Sequence, residues 1–312
     1  MCWGLEIMEH VLYGILNVVL FIMLSILNMG IIVKVKAFFG GRCGAPLLQK
    51  MYDIIKLWYK AIQLSTTTSW VFFIGPLLAT LVPIGAFLFI PFANLPSLLS
   101  FEGDFILFVY LFALLRFFTT ASALDTGSSF EGMGSARELT FSFLVEPILF
   151  VCFIILAKGT SSLKLEDFFG FHLLEVWSDY STVLGIVVVC LFIIMLAENS
   201  RVPFDDPTTH LELTMIHEVM VLDHSGPLLA SITLGSAMKL TLFAILIVNL
   251  ALPYQTGFVF LDGMISVLGV LGVGALVGIV ESTMARLRLV AIKKILIATL
   301  IISLFGILLI SR

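Results

Sequence analysis

Long apolar runs separated by short polar stretches make up this chain. A helix needs about 20 apolar residues to cross the hydrocarbon of a bilayer. Eight runs come close to that: 11–33, 70–91, 104–121, 140–157, 180–197, 226–251, 264–281 and 292–311. Such runs must be helical, because lipid offers nothing to an unpaired backbone amide. The pattern predicts an all-α polytopic membrane protein of about eight transmembrane helices, one integral domain over residues 1–312. The opening MCWGLEIMEH lacks a basic start, and the run after it is too long for a signal peptide.

Between the first two runs the pattern changes. Leu47, Leu48, Met51, Ile54, Ile55, Leu57 and Trp58 recur at helical spacing, with Gln49, Lys50, Asp53, Lys56 and Lys60 between them. Pro46 suits a first helical turn. The first connection should therefore hold an amphipathic helix lying in the membrane interface. Pro91, Asn94, Pro96 and Gly103 make the second connection a turn region. Gly127, Gly132 and Gly134 predict a loosened third connection ahead of Arg137 and Glu138.

Composition agrees with the pattern. The chain is 60% hydrophobic and 12% charged, against about 25% charged for a soluble domain. A net charge of −4 gives nucleic acid no electrostatic support. Cys2, Cys43, Cys152 and Cys190 form no CxxC pair, so neither a disulfide frame nor a cluster ligand set is indicated. The odd-numbered connections hold Lys34, Lys36, Arg42, Lys50, Lys56, Lys60, Arg116, Arg137, Arg201, Arg286, Arg288, Lys293 and Lys294. The even ones hold only Lys158 and Lys164. The positive-inside rule then puts the odd connections in the cytoplasm and both termini outside.

Charge occurs where it is expensive. The stretch AENSRVPFDDPTTHLELTMIHEVMVLDHSG, residues 197–226, carries Glu198, Asp205, Asp206, Glu212, Glu218 and Asp223 with His210, His217 and Arg201. Glu146 lies about two turns into an apolar run, and Lys239 lies in the middle of another. Each needs a partner or a wet cavity. Glu146 reads as a proton-handling carboxylate, against the plainer reading of a satisfied structural pair. Lys239 can relay a proton when buried. Glu281 closes the seventh run, just before Arg286 and Arg288. Asp206-Pro207 reads as the start of a helix running to about Leu222. If helix persists past Glu198, that residue can pair with Arg201. Clustered carboxylates and histidines should titrate near neutrality, which suggests a proton route into the membrane.

Other chemistry finds no support. His210 and His217 are about 10 Å apart along a helix, too far for one metal ion, and no HExxH occurs. No nucleophile motif surrounds Ser200 or Ser225.

Four blocks carry a more specific signal: Gly41-Arg42 through Pro46 with Gln49, Asp53 and Lys56; GMGSARELTFSFLVEP; Glu198-Asn199-Ser200-Arg201-Val202-Pro203-Phe204-Asp205; and Ala285-Arg286-Leu287-Arg288. Together they make the chain resemble the subunit 1 family of respiratory complex I (NADH–quinone oxidoreductase) and of membrane-bound nickel–iron hydrogenases. PFDDPTTHLELTMIHE and LDHSG are similar to the hydrogenase form, as in formate hydrogenlyase and hydrogenase-4. The quinone enzymes place acids where Thr208, Thr209 and His210 stand here.

The resemblance implies an eight-helix membrane subunit with no redox cofactor or catalytic nucleophile of its own. Its partners would be hydrogenase large and small subunits, a ferredoxin-like iron–sulfur subunit and antiporter-like membrane subunits. They would carry the iron–sulfur clusters and the nickel–iron centre. Arg42, Gln49, Asp53, Arg137, Arg201, Arg286 and Arg288 would line the docking face or a cavity. The alternative is the quinone-binding subunit of a NADH–quinone oxidoreductase-like complex, with Arg42, Asp53 and Glu212 on its polar wall. A stand-alone transporter predicts two corresponding halves with broken helices, and no such repeat occurs. A pure scaffold leaves Glu146 and Lys239 unexplained.

Overall fold

The computed structural model describes residues 2–93, 95–170, 172–206, 215–253 and 257–311. His210, Glu212 and the Asp206-Pro207 helix start fall on or beside residues outside that set. Among the described residues the helices are α1 (Cys2–Phe39), α2 (Gln49–Trp58), α3 (Val71–Phe87), α4 (Asp104–Asp125), α5 (Ser129–Thr160), α6 (His172–Glu198), α7 (His217–Met220), α8 (Gly226–Ala251), α9 (Val259–Thr283) and α10 (Leu289–Ile310). A 3-10 turn covers Asp167–Phe169.

All eight apolar runs are helices. Seven are long and apolar enough to cross a membrane, and α3, at 17 residues, is the shorter eighth. That length still rises about 26 Å, close to the hydrocarbon thickness. Pro76 and Pro83 sit inside α3 and Pro147 inside α5. The sequence pattern starts the fifth run at 180, and Tyr180 is the non-helical residue (φ −128°, ψ 38°) where α6 kinks. The amphipathic helix of the first connection is α2, with Ile54 buried and Lys50 and Lys56 between its apolar residues.

Two expectations fail. The third connection is not loose: helix resumes at Ser129 and takes in Gly132 and Gly134. A Cβ on Gly134 would lie 3.0 Å from the Ile216 carbonyl oxygen and 3.1 Å from a Val219 methyl. This glycine permits close packing of α7 on α5 and does not loosen the chain. The helix expected over 206–222 is also absent from its described part. Only His217–Met220 is helical, because Asp205 draws the Ile216 and His217 amides onto its carboxylate.

The odd connections meet at one end of the bundle, here termed the basic end. Ser225 accepts the Gln63 amide, Thr67 donates to the Thr126 carbonyl, Asp125 binds Ser69, and the Leu287 amide donates to the Pro203 carbonyl. The even connections meet at the other end, where Gly103 donates to Leu163, Leu165 donates to Asp104, and Trp177 donates to the Leu250 carbonyl. Between the two, α8 is the most buried span and touches α1, α2, α3, α6 and α9. Lys239 sits on this central helix. Phe105, Phe108, Phe112, Phe153, Phe168 and Phe243 interlock edge-on or tilted beside it, the geometry aromatic rings prefer.

Candidate functional site

Two buried groups of charges lie toward the basic end. The first is centred on Arg116 of α4, which is 6% exposed. One guanidinium nitrogen donates to Glu146 of α5 and another to Glu198 at the end of α6. Glu138 lies 4.0 Å away. The second oxygen of Glu198 accepts from Lys239 Nζ at 3.2 Å. Four helices thus bring two cations to three carboxylates at membrane depth. The Arg fork suits this, since it reaches two carboxylates at once with fixed geometry. Lys239 finds the acid the sequence demanded, and it also lines a cavity of about 50 Å³ with Arg116, Glu138 and Glu198. A water needs roughly 10–15 Å³ of such space.

The second group is centred on Glu281 of α9, whose side chain is fully buried. Arg201 Nη1 donates to it at 3.2 Å, and Lys36 Nζ of α1 lies 2.9 Å from its other oxygen, although not aligned for a hydrogen bond. Glu198 and Arg201 do not pair with each other. The Arg201 amide bonds the Leu196 carbonyl, the Ser200 amide bonds that of Ala197, and Ser200 takes φ +48°. This is a left-handed helix end. It terminates α6 at Glu198 and sends Arg201 toward α9. A cavity of about 210 Å³ opens beside this group, with Lys36, Lys50, Arg201, Glu218 and Glu281 in its wall.

The chain between α6 and α8 joins the groups. Asp205 is 1% exposed. Its Oδ2 accepts the Ile216 and His217 amides at 2.9 and 3.2 Å, and its Oδ1 pairs with Arg286 at 3.1 Å. His217 lines both cavities and also a third, of about 20 Å³, shared with Ser122 and His224. Glu131 of α5 clasps the same segment, accepting from the Asp223 amide at 3.0 Å and from Thr126.

The remaining candidates are more peripheral. Glu218 is half-buried in the larger cavity wall, and Asp223 is exposed. Arg137 donates to the Met215 carbonyl at 2.9 Å. Gln49 donates to Asp53 at 2.9 Å along α2. Arg42 and Arg288 are exposed. Neither Arg42 nor Asp53 lines the three cavities above, and Glu212 lies outside the described residues. Sequence reasoning missed Arg116, Glu138, Lys36, Glu131 and His224 as site residues. For Arg116 the signal existed: it stands inside the apolar run 104–121. For Glu131 and His224 no local signal did. Among the described residues no three His, Cys, Asp or Glu side chains gather for a metal ion.

His224 makes a pH prediction. It is 5% exposed, stacks on Phe72 at 4.1 Å, and lies 3.3 Å from Ser122 Oγ. Burial lowers its imidazole from 6.5 to about 4; a Phe72 backbone bond opposes this and the charge of His217 adds to it. The unfolded chain takes up a proton near 6.5 that the folded chain refuses until about 4. Stability at this corner is therefore complete above 6.5 and declines as pH falls toward 4, by about 3 kcal/mol in all. In detergent, His224→Gln should flatten this acid limb of the thermal midpoint against pH. A profile parallel to the parent's would refute the assignment.

The NADH dehydrogenase family model matches residues 12–311. Hydrogenase-4 component C of Escherichia coli K12 is 31% identical over 299 residues, covering 91% of each chain. Formate hydrogenlyase subunit 4 of the same organism is 28% identical over 285 residues, covering 89% of this chain and 92% of its own. Among solved structures, a chain of the membrane-bound sulfane sulfur reductase, an archaeal respiratory membrane complex, superposes with a TM-score of 0.82 at 20% identity, over 97% of this chain and 99% of that one. The match to the family model over nearly the whole length, with the same bundle in a solved relative, places this chain in the NADH dehydrogenase (complex I subunit 1-like) family of membrane subunits.

Proposed function

We propose that this chain is the non-redox membrane-anchor subunit of a hydrogenase complex of the formate hydrogenlyase or hydrogenase-4 type. In this reading it docks a hydrophilic iron–sulfur arm and couples electron transfer to proton or sodium translocation. The single observation that carries it is the Arg116–Glu146–Glu198–Lys239 group: four charges on four helices at membrane depth. Charge at that depth is retained where it serves an ion path. The similarity to hydrogenase-4 component C and formate hydrogenlyase subunit 4 favours the hydrogenase type. Hydrogenase large and small subunits, a ferredoxin-like subunit and antiporter-like membrane subunits are the partners. Their iron–sulfur clusters and nickel–iron centre supply the electron chemistry. The site is the cell inner membrane, with the basic end in the cytoplasm and both termini outside, in keeping with the gathered Lys and Arg of the odd connections.

The chain's own part is electrostatic. Glu198 shares its charge between two cations, so a proton on Glu198 weakens the hold on Lys239. The ammonium can then turn into the adjoining cavity or give up its proton. Glu146, whose side chain is 37% exposed on the bundle surface, offers the way out toward a partner.

Glu198→Gln and Glu146→Gln test this. Both keep shape and hydrogen-bonding capacity. The assembled complex should still evolve hydrogen from dithionite-reduced methyl viologen. Ion uptake into proteoliposomes should fall at least tenfold for Glu198→Gln and measurably for Glu146→Gln. Full coupled turnover in both variants would end the reading.

A further inference from the structure

The two ion groups share no charged residue. One contains Glu198 and the other Arg201, and the left-handed turn at Ser200 points them apart. Between them stands His217. Among the described residues it is the one ionisable side chain that lines all three cavities. On one side it faces Arg116, Glu138, Glu198 and Lys239. On the second it faces His224. On the third it faces Lys36, Lys50, Arg201, Asp205, Glu218 and Glu281. Ser236 also borders the first and third cavities, but a hydroxyl cannot hold a proton as a charge there.

Asp205 has a different role from the carboxylates around it. Its Oδ2 is taken by two backbone amides and its Oδ1 by the Asp206 amide and Arg286. One of those amides is that of His217 itself. The carboxylate therefore sets where the one-turn helix begins and where the imidazole stands.

We propose that His217 carries protons between the Arg116–Glu198–Lys239 group and the Lys36–Arg201–Glu281 group, and that Asp205 is a positioning residue that holds it at the junction. This rests on the coupling reading above. The step is neutral in balance. One ring nitrogen takes a proton from water in one cavity, the other releases a proton to water in the next, and tautomer exchange restores the ring. Both larger cavities carry charged side chains in their walls and exceed the roughly 10–15 Å³ that a water requires.

The test uses the whole complex in proteoliposomes driven by dithionite-reduced methyl viologen. His217→Gln should keep hydrogen evolution in detergent, lose at least tenfold in ion uptake, and flatten the pH profile of uptake. His217→Ala should regain uptake when imidazole is added to the medium. Asp205→Asn should displace that profile along the pH axis without flattening it, which a merely structural loss would not do. Wild-type uptake and profile in His217→Gln, beside an uptake-defective Glu198→Gln, would overturn this inference and leave the coupling reading standing. Unaffected uptake in both would remove both. If His217→Gln does not assemble, His217→Ala decides, and absence of imidazole rescue overturns the proposal.

Discussion

Arg116→Ala is expected to cost most of the complex. The guanidinium is 6% exposed and is the shared counter-charge of Glu138, Glu146 and Glu198. Removing it leaves three carboxylates at membrane depth with only Lys239, which reaches Glu198 alone among them. Breaking a buried ion pair by deleting one partner costs about 3–5 kcal/mol. That compares with about 5–15 kcal/mol for the whole stability of a domain. The amount of assembled complex and its thermal midpoint should both fall sharply. Arg116→Lys should be intermediate, because one ammonium cannot match a fork held between two helices. The double variant Arg116→Ala with Glu146→Gln should recover part of the loss, since it removes one stranded charge. If Arg116→Ala assembles at the parent's level and melts at the parent's temperature, the arginine does not organise this site.

Gly235→Val should be nearly as damaging, for a reason of shape. A Cβ at Gly235 would fall 2.0 Å from the Ala79 carbonyl oxygen and 2.5 Å from its carbon. The obstacle is backbone, so no side-chain rotation relieves it, and α3 and α8 must part. Replacing a helix-interior glycine gains up to about 1 kcal/mol in propensity. Overpacking typically costs about 1–3 kcal/mol, and more where nothing can yield; the clash therefore wins. Lys239 is one turn further along the same face of α8, so parting the helices also strains its 3.2 Å bond to Glu198. The variant should show a lower thermal midpoint together with reduced ion uptake, and Gly235→Ala should show a smaller form of both. A Gly235→Val protein with the parent's midpoint would mean that the helices do not approach so closely.

Several details of the site are legible in the chain. Glu146 and Lys239 are anomalous by type and depth alone, and each has an opposite charge. Other details mislead because the signal is local. Arg116 reads as a basic residue of the third connection, although it lies inside the run 104–121. Glu198 and Arg201, three apart, suggest a pair along one helix. The helix ends between them, and each pairs with residues far along the chain: Glu198 with Arg116 and Lys239, Arg201 with Glu281. Gly132 and Gly134 look like flexibility, but both lie within α5, and Gly134 proves to be room for α7.

The amino-acid sequence by itself determined the number and order of the membrane helices, the amphipathic helix between the first two, and the end where basic residues gather. Hydrocarbon forces any long apolar segment to bond its own backbone, so a one-dimensional pattern suffices. Only the tertiary structure decided which charge meets which, and that His217 stands among three cavities. Those pairings depend on the rotation and depth of helices whose contacting residues are, in the central group, 30 to 82 positions apart. No periodicity along the chain encodes a match at that distance.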